Sequence, residues 1–282
     1  DNIFADIEGE MTVDASKNID VILKNAYTHS KEPRSMSGNL GAVTGRFTYD
    51  TNILSVMIKA RQNKIAVIEF EGFNRIQMIS TDIFEDSILS SCKTKLDMVI
   101  NETTNFLLGH KYKNRFFEEG EYYSSNIVFA GVIYALSKSS TVDIEAGYEN
   151  ISTFSRKILG ESYMGLNFEK RFNKDLFAKI FVVKENGSTD FEKSTYNYWN
   201  FSGELKKVFN SKLTGKSMCY FEKGKFTEIP EEQTVIGLDL GLEYLIEKDI
   251  SVYMSYGYSG LSSKIGSEFM KNKIELGLKM SF

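Results

Sequence analysis

Groups able to do chemistry are few in this chain. Two histidines, His29 and His110, and two cysteines, Cys92 and Cys219, are set among 38 acidic and 34 basic residues. Nucleophilic or acid–base catalysis needs a His beside a Ser or a carboxylate. Neither histidine is so placed: His110 alternates with Thr104, Phe106 and Leu108 on an apolar face, and His29 falls in a polar loop. Patterns of the HExxH, CxxC and calcium-loop kinds are absent, and the glycines form no phosphate-binding fingerprint. Glu69 with Glu71, and Asp143 with Glu145 and Glu149, share faces at even spacing, which suits a solvated wall better than a catalytic pair. Two cysteines cannot make a disulfide scaffold, and each is expected to pack as a small apolar residue on an outward face. The expectation is a protein without catalytic residues, metal or cofactor.

Charge itself is abundant, and it recurs at alternate positions. On one face of extended segments stand Lys59, then Lys93, Lys95 and Asp97, then Lys111, then Asp143 and Glu145. Further along come Glu169 and Arg171, Lys179, Glu204 and Lys206, and Lys212 with Lys216. Asp239 and Glu243, expected on the neighbouring strand to face Lys212 and Lys216 across a ladder, and finally Glu275 and Lys279, complete the series. Charged side chains do not fill a dry core without partners. The opposite face of each segment is apolar, so these strands separate oil from water.

The clearest such strand is the last. Ile274, Leu276, Leu278, Met280 and Phe282 alternate with Lys273, Glu275, Gly277, Lys279 and Ser281, over the roughly 9 to 11 residues that a strand needs to cross a bilayer. This stretch resembles the C-terminal signal of bacterial outer-membrane β-barrels. The resemblance implies that the strand ending at Phe282 is recognised by the barrel-assembly machinery.

Composition agrees. Of 282 residues, 42% are apolar and 26% charged, with two prolines, 21 glycines, 15 tyrosines and 21 phenylalanines, as long ladders require. The net charge of -4 comes without a basic block, which argues against a nucleic-acid partner. No apolar run reaches the length of a membrane-spanning helix. Asp1 opens the chain without an initiator Met, as a processed exported chain would.

Along the chain, a first strand near residues 3–13 is followed by a turn, a strand from Ile19, and a polar loop at Thr28 to Gly38. Strands near Asn39 to Tyr49 and Ile53 to Arg61 flank a hairpin signal at Asp50, Thr51 and Asn52. Gly72, Phe73 and Asn74 interrupt the next alternation as a turn or a bulge. Beyond residue 112, polar segments are alternately long and short. The long ones are Lys113 to Ser125, Asn150 to Glu161, Lys184 to Thr195, Glu222 to Gln233 and Gly260 to Lys271. Parity counted back from Phe282 puts outward aromatics near the short turns at Phe172, Phe209, Tyr244 and Phe282. Others fall near the long loops at Tyr148, Trp199, Phe221, Tyr256 and Tyr258. Two such girdles mark the membrane interfaces.

The predicted fold is a single domain over 1–282, an all-β, transmembrane, antiparallel up-and-down barrel. It has sixteen strands, or fourteen as the alternative, with short periplasmic turns and long extracellular loops. The whole chain is similar by pattern to bacterial porins, including the monomeric OmpG-like kind. That resemblance implies passive diffusion of small hydrophilic solutes and ions through a pore lined by the charged face, in the bacterial outer membrane, as a monomer or homotrimer among lipid and lipopolysaccharide. The alternative is a surface adhesin or ligand-binding barrel acting through its extracellular loops.

Overall fold

The structure, a computed structural model, describes residues 5–30, 49–62, 66–79, 86–118, 120, 122–155, 157–188, 194–248, 250–264 and 268–280. Nearly all of them lie in fifteen strands. The first eight are β1 (Ala5–Ser16), β2 (Ile19–Ser30), β3 (Tyr49–Gln62), β4 (Ala66–Ile79), β5 (Ser87–Val99), β6 (Thr104–Phe117), β7 (Tyr122–Ser137) and β8 (Ser140–Ser152). Then come β9 (Ile158–Asn173), β10 (Leu176–Ser188), β11 (Thr195–Val208), β12 (Leu213–Phe226), β13 (Glu232–Glu247), β14 (Ile250–Ser263) and β15 (Phe269–Met280). They form one sheet in sequence order, with each consecutive pair antiparallel and with β1 and β15 at its edges. This is the expected all-β, up-and-down architecture, and the described count is one below sixteen. The strand expected at Asn39 to Tyr49 lies, except for Tyr49, outside the described residues.

Turn chemistry sets the registers. At one end the connections are tight: residues 17–18, 138–139 and 174–175 each join two strands. Beside four of the turns at this end the ladder slips, between Asp14 and Ser16, Ala135 and Ser137, Leu176 and Phe177, and Leu245 and Glu247. A bulge there increases the local right-handed twist that an antiparallel sheet needs to curl.

Four local expectations are corrected. Gly72 to Asn74 is neither turn nor bulge, since β4 pairs through it without a slip, Val56 with Gly72 and Leu54 with Asn74. Asp50, Thr51 and Asn52 are no hairpin, because they lie inside β3 opposite His29, Thr28 and Tyr27. Residues 28–30 continue β2, and the β2–β3 connection is at the loop end. Strands run on into the long polar segments: β6 runs to Phe117 and β7 begins at Tyr122. Polarity there reads as loop, but Lys113, Arg115 and Phe117 keep the period of two, and their inward side chains find partners inside. With up to 16 residues, these strands are longer than a bilayer crossing needs.

The two faces differ as a membrane wall demands. Outward positions carry exposed apolar side chains such as Val128, Ile144, Met164, Leu205, Leu240 and Met254. Cys92 and Cys219 are free thiols, on the same faces as Gly72 and Leu238 opposite them. On the inner face, rings lie flat on glycines of the neighbouring strand. Phe129 covers Gly109, and Tyr220 covers Gly237, so a Cβ at either glycine would fall within the ring.

Candidate functional site in the barrel interior

The inner face is stratified along the strand direction. Towards the tight turns it carries solvated ion pairs. Lys59 contacts Glu69 across β3 and β4; Lys179 lies 2.8 Å from Glu169 across β10 and β9; and Lys216 lies 3.4 Å from Glu204. Lys216 is 57% exposed and Lys179 is 39% exposed, so water reaches this half of the interior. Ser251 donates to Glu243 at 2.7 Å, and Ser255 donates to Glu275 at 3.2 Å. Arg171 and Lys206 stand exposed at the turn ends of β9 and β11.

Towards the loops the interior is packed. Glu185 on β10 receives Lys111 at 2.7 Å, lies 3.0 Å from Lys113, and accepts from the Tyr198 hydroxyl at 2.6 Å. Lys113 and Tyr123 donate to the Asn186 carbonyl at 3.1 and 3.2 Å, and Arg115 donates to the Ser188 carbonyl at 3.2 Å. Glu149, 0% exposed, accepts from Ser125 at 2.5 Å and from the backbone and side-chain nitrogens of Asn186 at 2.9 and 2.8 Å. These contacts join β6, β7 and β8 to β10, so the sheet curls until side chains meet across the interior. Two apolar clusters flank them, Ile127 with Phe129, Tyr163 and Val183, and Tyr196 with Tyr220, Phe226, Val235 and Leu261.

Between the packed half and the wet half lies a cavity of ≈ 380 Å³. Its walls include Lys93 and Lys95 from β5, Asp143 and Glu145 from β8, and Phe181 from β10. Lys95 bridges Asp143 at 3.2 Å and Glu145 at 3.5 Å, while Tyr163 donates to Glu145 at 2.8 Å. Lys93 is 3.8 Å from Glu145 and stands over the Phe129 ring.

The sequence-selected charges thus divide. Lys93 and Glu145 come together at the cavity. Lys59, Glu169, Glu204 and Lys216 lie in separate exposed pairs, and Asp97 faces inward opposite Leu107. Lys212 was expected beside Lys216 on one strand, but it lies in the turn before β12, where its carbonyl accepts from Leu245. Lys216 was expected to face Asp239 and Glu243. It sits opposite Gly241 with both acids two residues off its own level, and it pairs with Glu204 on β11, which is equally diagonal to it. Glu275 meets Lys273; the side chain of Lys279 lies outside the described residues. Glu149, read as solvated lining, is fully buried. Glu185, Lys113 and Arg115 were missed, although their even spacing continued the inward series.

Among the aromatics, Phe172, Tyr244 and Tyr148 point outward and are exposed, as does Phe209 in its turn. Trp199 stacks on Phe201, which packs against Phe221. Lys170 and Lys207 reach over Phe172 and Phe209, as interfacial cations do. Tyr256 and Tyr258 face outward but are level with Leu240 and Leu238 in the middle of β13, not at the loop end. The Tyr256 hydroxyl is satisfied there by Asn272 at 2.6 Å. Phe282 lies outside the described residues.

Comparison with known proteins fits this architecture. The chain resembles the FrpB iron transporter from Neisseria meningitidis (TM-score 0.57, 7% identity, covering 92% of this chain and 53% of that one). It also resembles the ferric citrate transporter FecA (0.53, 10%, 98% and 55%) and the alcaligin outer membrane receptor FauA from Bordetella pertussis (0.51, 10%, 98% and 56%). At these identities the likeness is one of fold, and the chain spans about half the length of these structures. No curated protein matches the sequence. Residues 182–282 match the family described as "Putative beta-barrel porin 2". The chain has the fold of outer-membrane β-barrels, and its residues 182–282 match the porin family model.

Proposed function

We propose that this protein is a bacterial outer-membrane channel that passes small hydrophilic solutes and ions by passive diffusion, without catalysis or a cofactor. The observation that carries this reading is the row of exposed ion pairs inside the turn half, Lys59 with Glu69, Lys179 with Glu169 and Lys216 with Glu204. Such pairs are at home only where water enters, and barrels of about 16 strands have room for it. Support also comes from the porin family match over residues 182–282. Outer-membrane lipid, lipopolysaccharide and the assembly machinery are the partners this role implies.

The test is a planar-bilayer recording of the refolded protein, with reversal potentials in a salt gradient. Stepwise ion conductance is expected. A protein that inserts, shows heat-modifiable gel migration and conducts nothing would refute the channel reading.

A second reading, a ligand-binding or adhesive barrel working from its loop side, is favoured by the packed loop half around Glu149 and Glu185. Lack of conductance together with saturable capture of a ligand by intact cells expressing the protein would support it.

A further inference from the structure

The described sheet has two edges, β1 and β15, and both run the same way. β1 descends from the loop end into the tight turn at residues 17–18, and β15, antiparallel to β14, also descends from the loop end. In a wall that faces lipid, the N–H and C=O groups of an open edge have no water to bond, so each edge needs a partner strand. Their common direction rules out an antiparallel seam between β1 and β15. A second copy inserted in the same sense brings the same two edges, again parallel. Residues 31–48 join β2 to β3, which already pair from Ile19 with Ala60 to Ser30 with Tyr49, so they place no strand between those two.

The residues of the two edges indicate which partner fits. Both strands are 12 residues long. On β1, Glu10 lies 2.7 Å from Lys24 on the inward side, and the positions alternating with it are Asp6, Glu8, Thr12 and Asp14. On β15 the inward positions include Lys271, Lys273, Glu275 and Lys279, with Glu275 meeting Lys273 and Ser255. The neighbour β14 places no charged residue on that face. One edge is thus acidic and the other mainly basic. Opposite charges across a ladder stabilise it and like charges weaken it, so β1 suits β15 and opposes a second β1. The outward positions agree, since Ile7, Met11 and Val13 on one edge and Ile274, Leu276 and Leu278 on the other are apolar. Ile274 and Leu276 are 74% and 73% exposed, against 43% and 42% for Leu240 and Leu242 on β13, which has a neighbour on each side. The difference is the flank that a further strand would cover.

We propose that β1 and β15 pair with each other in parallel, so that an acidic edge and a basic edge of one chain form the seam that closes the wall. A parallel ladder is slightly weaker per residue than an antiparallel one, and the opposite charges on the lumen side offset that. The inference stands apart from conduction, because a ligand-binding barrel needs a closed wall as much as a channel does.

Cysteine cross-linking of the full chain in lipid vesicles tests this, on a background of Cys92→Ser and Cys219→Ser. Glu8→Cys is combined in turn with Lys271→Cys, Lys273→Cys and Glu275→Cys, and Asp6→Cys with Glu275→Cys, which samples successive registers that keep both residues inward. Heat-modifiable migration first verifies folding of each. A disulfide needs Cα atoms about 4.4 to 6.8 Å apart, so oxidation should link one pair and leave the others largely as thiols. The product should be a monomer whose boiled, unreduced form runs faster than the reduced chain. In the parent protein, Asp6→Lys with Glu8→Lys should lower the folded fraction, and adding Lys271→Glu with Lys273→Glu should restore it. Links confined to dimers would assign the edges to a second copy. Absence of a register-specific link, or failure of the second reversal to restore folding, would assign them to a strand from elsewhere, and each of these results overturns the inference. Conductance judges the channel reading separately: a linked monomer that conducts nothing refutes only the channel, and conduction without the link refutes only the seam.

Discussion

Leu240→Arg compared with Asp239→Arg tests the assignment of the two faces where it is most sharply stated. Leu240 faces outward on β13 beside Tyr256 and Ser217, and Asp239 faces inward. At about 3.4 Å per residue and a strand tilt near 40°, each residue climbs about 2.6 Å along the bilayer normal. Leu240 is therefore about 10 Å above the outward ring of Tyr244, close to the middle of an apolar band about 25 Å tall. By the same count Trp199 lies about 26 Å above Phe209, one band-height away. An arginine at mid-band on the lipid face costs about 2 to 4 kcal/mol, which lowers the folding equilibrium constant roughly 30- to 900-fold. Asp239→Arg points into the wet interior and should cost about 1 kcal/mol or less. Equilibrium refolding from denaturant into lipid vesicles, read by heat-modifiable migration, measures both. Equal costs, or a larger cost for Asp239→Arg, would show that the oil–water division of this wall is misassigned.

Other outcomes follow from the same structure. Glu185→Ala leaves Lys111 and Lys113 buried without their shared partner and should cost about 3 to 5 kcal/mol, against under about 1 for Glu204→Ala in its exposed pair; similar losses in refolding free energy would mean that the loop half is not packed. Converting Asp239 and Glu243 to Asn and Gln removes two inward acids and should move the bilayer reversal potential towards anions. That shift should fade as the Debye length falls from roughly 10 Å at 0.1 M salt to 3 Å at 1 M, and an unchanged potential at low salt would place both residues outside the conducting path. Removed from detergent and lipid, the protein should aggregate, because Val128, Ile144, Leu240 and their neighbours form a continuous apolar outer face; a monodisperse sample in plain buffer would refute the membrane assignment.

Strand identity and facing were legible in the residues because both depend on a period of two that local composition displays. The lumen-side charges Lys93, Glu145, Glu169 and Glu204 were found that way. Depth was harder to read. Tyr256 was assigned to a girdle by its distance from a polar segment, but β14 runs on into that segment as far as Ser263, and the tyrosine sits level with Leu240. Pairing across a ladder needs register, which Asp239 and Lys216 illustrate: they share a face on adjacent strands, but the ladder sets Lys216 opposite Gly241 and Asp239 opposite Met218. The packed loop half was the least legible part. Nothing local in Lys111, Lys113 and Glu185, separated by more than seventy residues, tells that the sheet curls enough to bring them together.

The rings lying on glycines have a consequence for how this chain can vary. Phe129 occupies the space a side chain at Gly109 would fill, and Tyr220 does the same at Gly237. Each pair behaves as a single inherited character with two sites. A larger residue at the glycine is excluded while the ring stays, and loss of the ring opens a hole that only a larger residue at the glycine would close. Neutral drift at these positions therefore has to pass through a poorly packed intermediate, whereas outward leucines can exchange one at a time. Among homologous chains, Gly109 and Phe129 should change together or not at all, and so should Gly237 and Tyr220, even where the surrounding wall has diverged beyond recognition.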